Sequence, residues 1–353
     1  MTARRPSALT FTTAPHTRRP PTLGAPRLRG AKGPTPPELY LDHGLGPLPR
    51  NTETSTLYLD LVKRALTNIL YEDVPSWIFD RAANKISAAA QFDLGKRVNG
   101  DDGPTTAHTM IGIRRLENIQ RCVEDVLEHQ VPGDLVETGV LAGGATIFMR
   151  AILKAYNDTQ RRVFVCDSFI RQPSTMPPKV ARWAIKAAAS VPNKEWQRKF
   201  FHILQALNPA KSFPHVAQPS DELVDFVMQI LQNGDRMALP THDTSLEGVK
   251  SNFARYGLFD DQVVFVKGYF SETLPQLETD AFALIRLDGD VFESTMDALE
   301  SLYPKLSPGG YCIIDDFYTF SDCRKGVEDY RRRHGVADPI EIVDEHAVFW
   351  RKS

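Results

Sequence analysis

Before residue 130, apolar positions recur every three or four residues in two stretches, which is the spacing of amphipathic helices. The first stripe consists of Leu57, Leu61, Ala65 and Ile69, and it predicts a helix that runs through Asn68. The second consists of Leu116, Ile119, Val123 and Leu127, within a predicted helix over 110–127. This part of the chain is therefore predicted to be helical.

From Asp134 onward, short apolar runs alternate with helical segments. The predicted strands with their turns cover 134–139, 162–167, 262–268, 281–290 and 307–316. Helices are predicted to begin at Gly143–Gly144 and to cover 292–305, and two further strands at 340–343 and 347–350 flank a polar turn that indicates a hairpin. This order predicts an α/β fold with a doubly wound, mostly parallel sheet and a C-terminal antiparallel hairpin.

About 95 residues separate the second predicted strand from the third, far more than a normal crossover connection. Within this stretch, helical patterns occur at 183–189, 196–207 and 223–232. We interpret 170–245 as a helical insertion, and two roles stay open for it. It either covers the ligand crevice at the end of the sheet or is a surface elaboration without a role in the site.

The net charge of −2 conceals an uneven distribution. Residues 1–37 contain seven Lys and Arg and no acid, so the rest of the chain carries about −9. An acidic body makes nucleic acid an improbable partner. No apolar run approaches the roughly 18 residues that a membrane-spanning helix needs, so no membrane association is expected.

The first 54 residues form a basic tail rich in Pro and Arg, and the predicted globular domain covers 55–353. The tail lacks an apolar period, which favours disorder. We expect a cytoplasmic protein, but the acid-free composition of residues 1–37 also fits an organelle transit peptide, and that alternative stays open.

Two predicted strands end in carboxylates. Asp288 and Asp290 follow one apolar run, and Asp315 and Asp316 follow the next strand along the chain. The carboxyl ends of parallel strands face the same crevice, so these four side chains should converge. Carboxylates this close repel one another unless a divalent cation lies among them.

The turn after the first predicted strand has the context of a cofactor loop. Glu137-Thr-Gly139 ends the strand, and Gly143–Gly144 opens the helix, but the spacing is not that of a dinucleotide fingerprint. A carboxylate here would repel a diphosphate and suits the cationic groups of S-adenosylmethionine. Asp167 ends the second strand, where an acid accepts hydrogen bonds from ribose hydroxyls.

Several long motifs resemble the macrocin O-methyltransferase family. They are Leu57-Tyr-Leu-Asp-Leu-Val-Lys-Arg64, Tyr71-Glu-Asp73, Ala107-His-Thr-Met-Ile-Gly112, Gly133-Asp-Leu-Val-Glu-Thr-Gly139, Gly143-Gly-Ala-Thr-Ile-Phe-Met-Arg150, Asn252-Phe-Ala-Arg-Tyr-Gly-Leu258 and Leu287-Asp-Gly-Asp-Val-Phe-Glu-Ser-Thr-Met-Asp-Ala-Leu299. The resemblance covers roughly 55–353 apart from the insertion. It implies a Rossmann-like class I methyltransferase fold, with S-adenosylmethionine and Mg²⁺ used to methylate sugar hydroxyls of macrolides and related natural products.

The resemblance also implies roles for individual residues. The implied metal ligands are Asp288, Asp315 and Asp316, and Asp290 is the implied general base. The implied cofactor-binding residues are Met110, Glu137, Gly139, Thr146, Asp167, Ser168, Tyr269 and Asp288. For Asp290 an alternative stays open, since it precedes the helix predicted near Phe292 and has the residue type of a helix N-cap.

The chain departs from the family pattern at two places. Leu141-Ala142 replaces a usual Trp-Arg before the glycine pair. Asp167-Ser-Phe169 is followed by Ile170-Arg-Gln-Pro173, where the family usually has Glu-Gly-Leu-Pro. The second departure begins the insertion, where we expect the choice of acceptor to be made.

The leading hypothesis is therefore an O-methyltransferase whose partner is a small-molecule hydroxyl substrate of the glycosylated or polyhydroxy type. A catechol-like diol acceptor is one alternative, and a non-catalytic cofactor-binding member of the family is another. The oligomeric state is left open, and a homo-oligomer is compatible with the sequence.

Overall fold

We describe a computed structural model of the chain, in which residues 53–170, 186–207, 216, 218–233 and 243–353 are described. The predicted basic tail up to Thr52 and the predicted helical residues 183–185 lie outside these ranges.

A seven-stranded sheet forms the centre of the structure. Its strands are β4 (Asp134–Thr138), β5 (Val163–Asp167), β6 (Val263–Lys267), β7 (Phe282–Leu287), β8 (Leu306–Ile314), β9 (Glu341–Ile342) and β10 (Val348–Arg351). Their order is β6-β5-β4-β7-β8-β10-β9, and the first five in this order run parallel to one another. β10 pairs antiparallel with both β8 and β9. This confirms the predicted α/β fold with its C-terminal antiparallel hairpin.

The order of the strands reverses between β4 and β7. The chain moves outward from β4 through β5 to β6, and then returns to the other side of β4 with β7 and β8. In doubly wound sheets, ligands bind at the carboxyl ends of the strands where the order reverses. The crevice is therefore expected above the ends of β4 and β7.

Helices cover both faces of the sheet. They are α1 (Glu53–Leu66), α2 (Leu94–Asn99), α3 (Gly112–Glu128), α4 (Gly144–Ala155), α5 (Lys194–Leu207), α6 (Asp221–Asn233), α7 (Leu246–Arg255), α8 (Phe270–Thr273), α9 (Phe292–Leu302) and α10 (Ser321–His334). One apolar cluster joins α1, α3, α4 and α7 to one face, and a second joins α9, α10 and the helices of the insertion to the other. Every residue of β4 and β7 is buried, as covered parallel strands require.

A small three-stranded sheet between α1 and α3 was not predicted. It comprises β1 (Trp77–Asp80), β2 (Lys85–Ala88) and β3 (Asp102–Gly103), paired antiparallel in the order β2-β1-β3. The strands are too short to show a clear period-two pattern. Buried Arg97 on α2 anchors this region by bonding Asp73 (2.6 Å) and Asp102 (2.9 Å). The pairing depends on these contacts rather than on local pattern.

The described helices of the insertion pack beside the carboxyl ends of the strands. Phe226 on α6 contacts Trp77 of the small sheet and Phe320 after β8 edge-on, with ring centroids 6.0 and 5.8 Å apart. The backbone amide of Ser220 donates to Asp322 at 2.8 Å. These contacts connect the insertion to the segment that follows Asp316. Every helix in the described part of the chain is too short or too polar to span a bilayer.

Candidate active site

The sheet register brings the acidic strand ends together as predicted. Glu137 of β4 is the register partner of Arg286 on β7, and Arg286 is the partner of Ile313 on β8. Asp288 follows β7 and Asp315 follows β8, so both lie at the carboxyl edge beside Glu137. Residues from three neighbouring strands therefore meet at the point where the strand order reverses.

Gly139 permits the close approach of the two strand ends. Its φ is +78°, and a Cβ atom placed there would lie 1.8 Å from the carbonyl oxygen of Asp288. Any other residue would push the ends of β4 and β7 apart, since glycine alone combines this conformation with the missing side chain. The predicted importance of Gly139 thus has a steric basis in the backbone.

Asp288, Asp290 and Asp316 form one group, which we call the carboxylate trio. One oxygen atom from each lies within 4.8 Å of the others. Ligand atoms around an octahedral Mg²⁺ at about 2.1 Å lie about 3 to 4 Å apart, so a small inward movement would complete such a site. The donor chemistry, three carboxylate oxygens, is what a hard divalent cation takes.

The pKa values of the trio show how much negative charge is concentrated there. Burial raises the pKa of Asp288 well above its usual value, and the charge of Asp315 adds to the effect. Burial and the charge of the neighbouring Asp290 also raise the pKa of Asp316 well above its usual value. The enclosing walls of the crevice and the charge of Asp288 raise the pKa of Asp290 to about 7.

Asp290 does not act as the cap of the following helix. The N-cap residue of α9 is Val291, and it makes no side-chain capping bond. Asp290 itself has φ +63°, a left-handed conformation that costs a non-glycine residue energy. This conformation leaves the carboxyl exposed in the crevice, next to Asp316. The alternative of Asp290 as an N-cap alone is therefore wrong.

Asp315 lies in a different environment. Its Oδ2 accepts a 2.6 Å hydrogen bond from Nη1 of Arg115, and its Oδ1 accepts one from Nη2 of Arg286. Burial tends to raise the pKa of Asp315, but Arg115 and Arg286 outweigh this and hold it below its usual value. Both oxygens are thus already held by guanidinium groups, so Asp315 lies outside the carboxylate trio.

Glu137 is the second carboxylate held by Arg286. Its Oε1 accepts a hydrogen bond from Nη1 of Arg286. Burial raises the pKa of Glu137 to about 7, although Arg286 opposes the shift. Its Oε2 is buried and has no hydrogen-bond partner among the described residues. A buried acceptor of this kind is expected to serve a ligand or water, which fits the predicted cofactor role.

The turn after β5 holds Asp167 in place. Its Oδ2 accepts from the backbone amide of Val140 at 2.9 Å, and its Oδ1 accepts from that of Phe169 at 2.8 Å and from the hydroxyl of Ser168 at 3.2 Å. These bonds tie the ends of β4 and β5 together. Oδ2 has a further lone pair available, so the predicted contact with a ribose hydroxyl is compatible with this geometry.

The remaining predicted cofactor residues lie around the same turns. Met110 is half-buried just before α3, and Tyr269 is the N-cap residue of α8, directly after β6. The side chain of Thr146 is fully buried and donates to the carbonyl of Gly143 at 2.9 Å. The hydroxyl hydrogen of Thr146 is therefore already used within the turn that begins α4.

A separate polar cavity of about 390 Å³ lies between α7 and the segment that precedes α3. It is lined by Thr106, His108, Asp243, Glu247, Gly248, Ser251, Asn252 and Arg255. None of the predicted site residues lines it, so it is distinct from the crevice above β4 and β7.

Sequence reasoning missed two site residues, Arg286 and Arg115. Arg286 interrupts an otherwise apolar strand, and a lone arginine in a buried strand is a signal of a buried ion pair. Arg115 is buried on α3, and a charged residue among the buried positions of an amphipathic helix is a similar signal. Glu137 and Asp315 lie 149 and 29 residues from Arg286, and Asp315 lies 200 residues from Arg115, so these pairs leave no local pattern in the sequence.

Comparison with known proteins places the chain among methyltransferases. The model of the macrocin O-methyltransferase (TylF) family matches residues 55–203 and 212–352. The two matched ranges include most of the predicted insertion at 170–245.

Individual relatives agree with the family match. The chain is 44% identical to an 8-demethyl-8-(2,3-dimethoxy-alpha-L-rhamnosyl)-tetracenomycin-C 4'-O-methyltransferase of Streptomyces olivaceus, over 84% of this chain and 92% of the relative. It is 41% identical to the mycinamicin III 3''-O-methyltransferase of Micromonospora griseorubida, over 84% and 96%. The solved structure of the O-methyltransferase NovP is 36% identical, with a TM-score of 0.60, and covers 85% of this chain and 99% of its own. The chain therefore belongs to the macrocin O-methyltransferase family and is an S-adenosylmethionine-dependent O-methyltransferase.

Proposed function

We propose that this enzyme uses Mg²⁺ together with S-adenosylmethionine to methylate a sugar hydroxyl of a glycosylated natural product. The observation that carries the proposal is the carboxylate trio at the point where the strand order reverses. Two relatives that support the acceptor class methylate named positions on a tetracenomycin and on mycinamicin III, and the first acceptor carries a rhamnosyl group.

The charge balance at the strand ends supports a cation. Five carboxylates lie there, namely Glu137, Asp288, Asp290, Asp315 and Asp316, against the two guanidinium groups of Arg115 and Arg286. If all ionise, three negative charges remain, and a divalent cation would reduce the excess to one. Without it, the trio must keep protons, as the raised pKa values indicate.

The chemistry divides among the residues as follows. When bound, Mg²⁺ supplies Lewis-acid polarisation of the acceptor oxygen, which eases loss of the hydroxyl proton. Asp288 and Asp316 would hold it through their carboxylates. Asp290, exposed in the crevice with a pKa near neutral, takes the hydroxyl proton as general base, a contribution on the order of 10²–10⁴ in rate.

The cofactor side relies on positioning. Glu137 would accept a hydrogen bond from the cofactor through its unpartnered Oε2, and Asp167 would accept from the ribose hydroxyls. The methyl donor and the acceptor must lie in line, and holding them so can supply roughly 7–11 kcal/mol of the barrier reduction. Met110, Ser168 and Tyr269 line the predicted cofactor pocket in this proposal.

Asp315 was expected to be the third metal ligand. Its two arginine bonds leave it only the remaining lone pairs for a cation. We therefore propose that Asp315 mainly fixes Arg115 and Arg286, and that Asp288 and Asp316 are the principal ligands.

Two measurements test the proposed function. Isothermal titration measures the affinity for S-adenosylhomocysteine with and without Mg²⁺, and it reports whether the metal affects cofactor binding. Transfer of a labelled methyl group to a panel of glycosylated acceptors and simple catechols reports the acceptor class. Transfer that is unaffected by a metal chelator would overturn the Mg²⁺ role, and transfer to catechols alone would overturn the sugar acceptor.

The proposed general base is tested by substitution. Asp290→Asn should lower the rate of methyl transfer by a factor of roughly 10²–10⁴ while cofactor binding persists.

A further inference from the structure

Arg286 occupies a costly position for a charged side chain. It lies in β7, inside the central sheet, and only 1% of its surface is exposed. A buried charge is strongly unfavourable unless it is paired and hydrogen-bonded. Its environment must therefore explain why an arginine lies in a strand whose other residues are apolar.

One guanidinium group holds three carboxylates. Nη1 of Arg286 donates to Oε1 of Glu137 and, at 2.9 Å, to Oδ2 of Asp288. Nη2 donates to Oδ1 of Asp315. The planar fork of arginine suits this arrangement, whereas the single ammonium of a lysine does not.

The sheet register produces these contacts. Glu137 is the direct partner of Arg286 across the β4–β7 pair. Asp315 lies two residues beyond Ile313, the partner of Arg286 on β8, so both point to the same face. Asp288 lies two residues beyond Arg286 itself and shares that face by the same alternation. The three carboxylates thus approach the guanidinium from three successive strands.

Stability alone does not account for the arginine. Replacing buried ion pairs with apolar residues of similar volume is often neutral or stabilising. In addition, Nε of Arg286 is buried without a hydrogen-bond partner among the described residues. An apolar residue at this position would have fitted the strand without that penalty, so the charge points to a role in the site.

Arg115 offers a natural comparison within the same network. It is also buried, and it donates to Asp315 and lies 3.2 Å from Asp344. Its contacts do not include Glu137 or Asp288 among the described hydrogen bonds and ion pairs. Removing either arginine leaves a buried carboxylate uncompensated, but only Arg286 joins the cofactor side to the metal side.

We propose that Arg286 is a positioning residue that sets cofactor and metal affinity together, by holding Glu137, Asp288 and Asp315 in one geometry. The inference rests on the proposed function, because it assumes that Glu137 faces the cofactor and that Asp288 faces the cation. Arg286 acts through these carboxylates and touches neither ligand itself.

The test measures two affinities separately in the full-length protein. S-adenosylhomocysteine is titrated calorimetrically, and Mn²⁺ is titrated by the loss of its free electron spin resonance signal. Arg286→Met should weaken both affinities by about ten-fold or more, since hydrogen bonds to charged groups are lost on both sides. Arg115→Met, the matched control, should weaken Mn²⁺ binding at most and leave the affinity for S-adenosylhomocysteine within about two-fold.

The conservative variant Arg286→Lys keeps the charge but not the fork, and it covers the case in which the methionine variant does not fold. It should weaken both affinities in the same direction by a smaller factor. If Arg286→Met and Arg115→Met changed the two affinities in the same way, or if Arg286→Lys kept wild-type affinities, the inference would be overturned and the proposed function would still stand. A wild-type protein that binds neither probe would instead refute the proposed function, and the inference with it.

Discussion

Asp315 and Asp316 are neighbours in the chain, but they lie in opposite electrostatic environments. Two arginines neutralise Asp315, and the pKa of its carboxyl lies below the usual value. Asp316 is buried beside Asp290 and Asp288, and its pKa is raised. The two environments form an arginine-bridged cluster (Glu137, Arg286, Asp315 and Arg115) and the carboxylate trio.

The two groups differ in whether protein cations compensate their carboxylates, and this difference indicates a structural role for the cluster and a ligand-binding role for the trio. In the arginine-bridged cluster, each carboxylate accepts a hydrogen bond from a guanidinium group, so the protein itself holds these side chains in place. The trio carries charge that the described protein groups do not balance, so it has capacity to bind a cation. A preorganised site requires charged groups that are held in place before the ligand binds. The arginine-bridged cluster fixes the strand ends, and the carboxylate trio supplies the charged groups.

The largest effect is expected from the trio. Asp316→Asn removes a proposed ligand but keeps the volume and much of the hydrogen bonding, so the fold should persist. Turnover should fall about a thousand-fold or more, because metal polarisation is worth several kcal/mol. Labelled methyl transfer checks this, with thermal unfolding as the control for folding. Turnover within a few-fold of wild type would remove Asp316 from the metal site.

A large loss of stability is expected from the arginine-bridged cluster. Asp315→Ala leaves Arg286 and Arg115 partly uncompensated in the interior, which typically costs about 3–5 kcal/mol. Urea unfolding should show this loss, and turnover should also be abolished, while cofactor binding is largely retained. Unchanged turnover would exclude any role for Asp315 at the metal. Asp316→Asn provides the contrast, since it should not destabilise the metal-free protein.

The pH dependence of stability tests one raised pKa value in each of the two groups. Folded-state pKa values of about 7 for Glu137 and Asp290 exceed the unfolded values near 4, so the folded protein binds more protons in between. Stability of the metal-free protein should therefore fall as pH rises from about 4 to 7, on the order of 1 kcal/mol per pH unit for buried Glu137 and less for Asp290, whose exposed side chain is screened by solvent. Thermal unfolding across this range, repeated with Mg²⁺, measures the effect. Mg²⁺ should reduce the fall, and a stability that rises with pH would contradict the assigned charges.

The smallest effect concerns the backbone at Asp290. Its left-handed conformation, φ +63°, costs roughly 1–2 kcal/mol for a residue with a Cβ atom. Asp290→Gly should relieve this strain and remove a like charge, so stability should rise by about 1 kcal/mol while methyl transfer falls. Urea unfolding beside Asp290→Ala tests the origin of the gain. The alanine variant loses the charge but keeps the strain, so an equal gain in both would assign the effect to charge alone.

Much of the fold was predictable because its signals are local. The alternation of buried strands and helices after Asp134, the glycine turn at Gly139 and the terminal hairpin follow from apolar period and strand length. The helices α1 and α3 were found within a few residues of their observed ends. The small sheet around Trp77 was missed, because its strands are two to four residues long and are held by contacts from α2 and α6.

The sequence by itself determined that four aspartates and Glu137 lie at strand ends, and hence that they share one edge of the sheet. Only the tertiary structure decided which of them are neutralised. The partners of Asp315 lie on α3 and β7, 200 and 29 residues away in the chain, and no local pattern specifies such pairs. Strand order and register, which depend on packing throughout the domain, place Asp315 against two arginines and leave Asp316 among carboxylates.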